Sequence, residues 1–330
     1  MGSCISGPSD KHLIIEQREA VFLRMLSGPQ SSDVLPDVGI DKSLVKYSGL
    51  YSVEDLIIQD LALSHVESLG SALATFEAVQ KVVGLGAMTL SIALELIIGR
   101  RKDSTLDMIH RVFAKQKALG VRDSMDEYLK RLGMYLQQPT RALEETERLE
   151  KQLSEQLTRL KNSMLHDDQM SSGSLKHWTN GAAFHLQMLI HAARLKTQSS
   201  TVHKERLQVY VASIDRVLNL YQFDLEELLK QYKTYKKSTI SVYTVVDVSH
   251  RCYKVKDKEL EREIVRVAYS GKAARILSDD YVDYMFDNWS KLKELKSYFS
   301  DLKENLKELI LQKGEFNLQR VLRALNNQRA

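Results

Sequence analysis

Two runs of heptad-spaced apolar residues constrain this chain more than any other feature. Leu207, Val211, Ile214, Leu218, Tyr221, Leu225, Leu228, Tyr232 and Tyr235 step by four, three, four, three without a break. Met285, Asn288, Leu292, Leu295, Phe299, Leu302, Leu306 and Leu309 keep the same alternation. A spacing of 3.5 residues sustained over about three heptads sets one stripe of a helix against another helix, in the same chain or in a partner. Each run predicts a helix on the order of 40 Å long at 1.5 Å per residue. Asn288 is the polar member of the second seam and favours one register at some cost in stability. The expected contacts centre on Leu218, Tyr221 and Leu225 in the first run and on Leu292, Leu295, Phe299, Leu302 and Leu306 in the second.

The rest of the chain is built to the same plan because helix breakers are scarce. The 330 residues hold 4 prolines and 15 glycines, about 1.2% and 4.5% against roughly 5% and 7% in average usage. Collagen-like, Pro-rich disordered and short-stranded all-β architectures are thereby excluded. A hydrophobic share of 43% supplies a core, too much for a wholly disordered chain. The pattern predicts a short helix over 10–27, a Pro- and Gly-containing tether to about residue 52, and helical spacing from 53 onward. Short helices follow over 105–119 and 124–136, broken around Gly120. Pro139 then opens a charged helix to about residue 170, where its missing N–H costs nothing. That helix carries a short seam of Leu153, Leu157, Leu160 and Met164. A further helix covers 175–196.

Between 82 and 98 the polar face disappears. This 17-residue stretch, VVGLGAMTLSIALELII, has Glu95 as its one charge and ends in Gly99, Arg100, Arg101 and Lys102. Its apolar positions are Val82, Val83, Leu85, Met88, Leu90, Ile92, Leu94, Leu96, Ile97 and Ile98. The length lies at the lower edge of what spans a bilayer, and the basic flank suits a cytosolic end. Gly84 and Gly86 permit close helix packing in lipid, whereas Glu95 is costly there. The stretch therefore reads either as a membrane segment or as a fully buried core helix.

The N-terminus reads Met1-Gly2-Ser3-Cys4-Ile5-Ser6. This fits M-G-x-x-x-[ST], in which Gly2 becomes the N-terminus and accepts myristate. Through Pro8 the segment resembles the acylated N-termini of Src-family kinases and many G-protein α subunits. That resemblance implies palmitoylation of Cys4. One myristoyl chain binds a membrane only marginally, so a second chain on Cys4 is what makes the anchor stable. Cys4 and Cys252 are the only cysteines; two residues so far apart make no disulfide framework and fit a reducing compartment.

The segment 238–249, STISVYTVVDVS, is β-branched and lies between Lys230, Lys233, Lys236, Lys237 and Arg251, Lys254, Lys256, Lys258. A lone strand there is marginal in water, and Thr239, Val242 and Val246 continue the heptad frame. The reading favoured by the pattern is a buried helix end beside a solvated lysine face. A membrane- or partner-facing element is the alternative.

Chemistry-bearing motifs are not found. There is no HExxH, and His177, His185 and His191 lack the i, i+4 relation of two ligands on one face. His166-Asp167-Asp168 reads as a helix end. Gly84-Leu85-Gly86 is too short for a dinucleotide loop, Ser270-Gly271-Lys272 lacks the rest of a P-loop, and no GxSxG occurs. With 47 basic and 43 acidic side chains, the net charge of +4 does not suit a nucleic-acid binder.

The expected fold class is all-α: an elongated bundle of long antiparallel helices with coiled-coil-like heptad packing. The expected organisation is an acylation segment over 1–9, a short helix and tether over 10–52, and a helical bundle over 53–330 containing the apolar segment. The expected role is non-enzymatic, with no cofactor, metal or catalytic residue. It is that of a helical scaffold or interaction protein acylated at the cytosolic face of the plasma membrane or another intracellular membrane. Membrane lipid is the expected partner, joined by a protein partner or self-association through the heptads. The alternative is a membrane-inserting, single-pass bundle that uses 82–98, as in α-helical pore-forming toxins or apolipoprotein-L-like proteins, an analogy of architecture alone.

Overall fold

The computed structural model describes residues 19–24, 37–46, 48, 50, 105–113, 119–135, 138–198, 204–246, 251–269, 278–311, 323–324 and 327. Most of these residues are helical. The helices are α1 (Lys42–Lys46), α2 (Thr105–Phe113), α3 (Leu119–Tyr135), α4 (Pro139–His166), α5 (Ser172–Gln198) and α6 (Lys204–Thr239). After them come strands β1 (Ile240–Val246), β2 (Arg251–Asp257) and β3 (Arg262–Tyr269), then α7 (Ser278–Asn288), α8 (Ser290–Glu304) and α9 (Leu306–Leu311). Residues 19–24 are helical as well.

The centre of the molecule is α5, against which α1, α2, α3, α4, α6 and α9 all pack. Its residues from Trp178 to Leu195 are buried almost without interruption. A helix surrounded on all sides has no polar stripe, so the single face that the spacing of Leu186, Leu189, Ile190 and Ala193 suggests is only part of what is buried. Gly181 lets two neighbours approach at once: a Cβ there would lie 2.7 Å from Leu157 of α4 and 2.8 Å from Val121 of α3.

The first heptad run forms α6 as one uninterrupted helix, 36 residues long, about 54 Å at 1.5 Å per residue. Leu207, Ile214, Leu218, Tyr221, Leu225, Leu228 and Tyr232 are buried along it, with Val211 and Tyr235 partly buried. The second run is buried as its spacing predicts, yet it is not one rod. Trp289 adopts an extended backbone (φ −73°, ψ 111°) and Asn305 leaves the helical region (φ −99°, ψ 5°), which divides the run into α7, α8 and α9. Asn288 is exposed and donates to the Tyr284 carbonyl; the buried position beside it belongs to Trp289. Both runs contribute to a single buried cluster, and α6 packs against α7, α8 and α9 within the chain.

Two boundaries differ from expectation. Gly120 lies inside α3, which begins at Leu119, and its carbonyl accepts from the Ser124 hydroxyl one turn on. The all-α expectation fails at 240–269, where an antiparallel sheet forms in the order β1-β2-β3. The segment 238–249 therefore does not continue as helix beyond Thr239. Its β-branched run pairs from Ile240↔Asp257 to Val246↔Arg251, and β2 pairs with β3 through a bulge at Val255/Lys256. Three strands covered by a helix satisfy the requirement that a lone strand cannot. The cover is α7, tied to β1 by the Ser278 hydroxyl, which accepts from the Val242 N–H at 2.9 Å. Ile240, Tyr253, Val255, Tyr281, Val282 and Met285 form a second buried cluster, completed by Phe22 from the N-terminal side.

Candidate functional site

Of the residues singled out in the sequence, the heptad set lies within the described residues. Leu218, Tyr221, Leu225, Leu292, Leu295, Phe299, Leu302 and Leu306 are all buried in the larger cluster. Gly2, Cys4, the apolar stretch 82–98 and the basic flank Arg100, Arg101 and Lys102 lie outside them. Among the described residues no helix is long and apolar enough to cross a membrane.

The lysines around β1 do not form one solvated face. Lys233 and Lys237 of α6 both pair with Asp283 of α7, at 2.9 and 2.8 Å. The hydrogen bond from Lys237 holds the Asp283 carboxyl below its ordinary range, and Lys237 is raised in turn. Lys236 is fully buried. Its Nζ donates at 2.5 Å to Asp257 Oδ2 at the end of β2 and at 2.5 Å to Glu259 Oε2 in the β2–β3 turn. It also lies 5.8 and 5.9 Å from the ring centroids of Tyr232 and Tyr235.

Glu259 extends this junction to the central helix. Its Oε1 accepts the Ser172 N–H at 2.7 Å and its Oε2 the Ser172 hydroxyl at 2.6 Å. A carboxylate is thereby placed on unpaired N–H groups at the N-terminus of α5, where the helix dipole favours negative charge. The Ser171 hydroxyl accepts the Ser174 N–H and completes the cap. The Ser172 and Tyr232 hydroxyls meet at 2.8 Å, and burial pushes the Tyr232 phenol well above its ordinary value. One lysine, two carboxylates, a serine and a tyrosine thus tie the sheet, α5 and α6 together. Their donors and acceptors satisfy one another, which is the arrangement of a joint.

A second set of buried polar groups runs along α5. Asn180 takes the Asp41 N–H at 2.7 Å and donates to the Gly39 carbonyl at 3.0 Å. Thr179 donates to the Val38 carbonyl and Gln187 to that of Ser48. The stretch from Val38 to Ser48 is therefore held on the body by specific bonds. Between this segment and α8 lies a cavity of about 700 Å³ lined by Asp37, Asp41, Lys46, Lys291, Glu294 and Tyr298, among others. Its charges are of both signs.

His185 bridges Glu150 of α4 through Nε2 at 3.0 Å and Tyr221 of α6 through Nδ1 at 2.8 Å. His191 meets the Tyr128 hydroxyl of α3 at 2.8 Å. Arg194 donates from Nε to the Leu309 carbonyl of α9 at 2.5 Å, and its burial lowers the guanidinium to about 10. Each group joins α5 to a different neighbour. None of these contacts was visible from spacing in the sequence, because the partners are 35, 36, 63 and 115 positions apart. Among the described residues no group of three or more His, Cys, Asp or Glu side chains converges as metal ligands would. No protein-family model, no curated protein and no solved structure matches this chain.

Proposed function

We propose that this protein is a non-enzymatic helical scaffold or interaction protein held at the cytosolic face of a membrane by N-terminal acylation. Its helices would form an elongated, antiparallel bundle with heptad-type contacts. The observation that carries the reading is Met1-Gly2-Ser3-Cys4-Ile5-Ser6, which supplies a myristoylation site and a second acylation site two residues apart, the pairing that stable anchoring needs. The buried polar groups support it: Lys236, Asp257, Glu259, His185 and Arg194 are engaged in holding elements together. Membrane lipid is the partner this reading implies, with a protein partner or a second copy as the cargo of the scaffold.

The second reading is a membrane-inserting bundle, favoured by the 17 nearly uncharged residues of 82–98 and the basic flank that follows. One experiment separates the two. Wild type and Gly2→Ala are expressed as full-length chains, fractionated and extracted with carbonate. The anchor reading expects Gly2→Ala to move to the soluble fraction. A Gly2→Ala protein that stays membrane-bound and resists carbonate would overturn it and favour the apolar segment.

A further inference from the structure

We infer that His177 makes the docking of α2 on α5 acid-sensitive, so that taking up one proton at this ring loosens Thr105–Phe113 from the body. His177 is buried on α5 and its Nε2 lies 3.1 Å from the Val112 carbonyl oxygen. Val112 is next to Phe113, the last described residue of α2. A carbonyl only accepts, so Nε2 carries the proton and Nδ1 is the bare nitrogen. Nδ1 is itself buried and has no hydrogen-bond partner among the described residues. The ring stacks on Phe113 of α2, centroids 4.6 Å apart and planes 20° from parallel. The neutral imidazole thus fastens α2 by one bond and one stacked face, and it has no acceptor for a second proton.

Two effects oppose each other when that proton arrives. The bond to the Val112 carbonyl favours a cation. Burial removes the water that would solvate it, and an N–H at Nδ1 would be left unpaired. Burial is the larger effect, and Lys176 adds repulsion, so the ring is held below the ordinary histidine range.

The charged groups around the site do not reverse this. Lys176 is paired with Asp37 at 3.0 Å. On α2, Asp107 is half-buried and His110 exposed. The segment leading into α1 supplies Asp37 and Asp41, the latter engaged with Ser43 and Asn180. Where α3 and α4 meet α5 at Gly181, the flanking charges Arg122 and Lys161 are paired with Asp126 and Asp224. Asp224 is on α6, three positions after Tyr221, whose ring meets Trp178. None of these carboxylates contributes to the balance at His177.

Above about pH 6.5 the ring is neutral whether α2 is docked or released. Below that value the released form binds a proton that the docked form does not. Docking is therefore fully favourable at neutral pH and is lost on acidification, by up to about tenfold in the equilibrium per pH unit until the docked ring titrates. The stretch that is loosened begins three residues after Lys102.

The test is amide hydrogen exchange on the full-length chain between pH 7.5 and 5.0, corrected for the intrinsic pH dependence of exchange. Amides of 105–113 should lose protection as pH falls while those of α4 do not. His177→Gln, which keeps a donor for Val112 but cannot titrate in this range, should hold its protection flat. A wild type with no pH dependence over 105–113, or a His177→Gln with the same slope, would overturn the inference. Should the variant fold poorly, a histidine NMR titration of the wild type decides: a His177 midpoint at or above 6.5 overturns it.

Discussion

Removing the Lys236 amine would leave Asp257 fully buried and Glu259 nearly so, with no cation between them. Breaking a buried ion pair from one side costs about 3–5 kcal/mol, since the remaining charge is uncompensated. Lys236→Met should lower the free energy of unfolding by that amount in urea titrations followed by circular dichroism. Lys230→Met, at an exposed position one and a half turns earlier on the same helix, should change it by less than about 0.5 kcal/mol. The contrast is informative because the sequence presents both lysines as members of one basic run. Burial singles out Lys236, and burial depends on where β2 ends, 21 positions later.

At the scale of the element, spacing predicted which side chains are buried better than it predicted where helices stop. In α6 the seam and the helix coincide. In the second run the same spacing survives two breaks, because Trp289 and Asn305 each restart the helix with its apolar face still inward. Heptad spacing reports a facing surface, and a short kinked path along that surface satisfies it as well as a straight rod. Leu292 and Leu306 are both buried and their partners lie in the same chain. Replacing either with Asp would bury an unpaired carboxylate, costing at least about 3 kcal/mol. The expected result is loss of cooperative unfolding and of near-ultraviolet circular dichroism. A cleanly folded monomer would place the seam at an interface between copies. The sheet was illegible for a different reason: β1 alone is a marginal strand, and its worth depends on β2, β3 and α7 arriving together. The central position of α5 was hidden as well, since the spacing marks one face of a helix that is buried on nearly all sides.

For the whole molecule, the two buried clusters meet at Phe286, which packs against both, and each draws one piece from the N-terminal side. Val38, Gly39, Asp41 and Ser48 are bonded to α5, while Phe22 sits against Tyr281 and Tyr284, ring centroids 5.9 and 5.1 Å away. Phe22 is buried, so Phe22→Ala should cost about 3–5 kcal/mol and lower the melting temperature of the sheet and α7 more than that of α4, measured by exchange at rising temperature. The Met1–Ser6 pattern could be read in the sequence because it is contiguous; the joints that hold the body could not, because they are made by groups brought together only in the folded chain. The seating of Phe22 also fixes a length. Twenty residues separate it from Gly2, and a chain extends at most about 3.3–3.6 Å per residue. An acyl chain at Gly2 would therefore hold Phe22, and with it the sheet and α7, within roughly 70 Å of the bilayer surface.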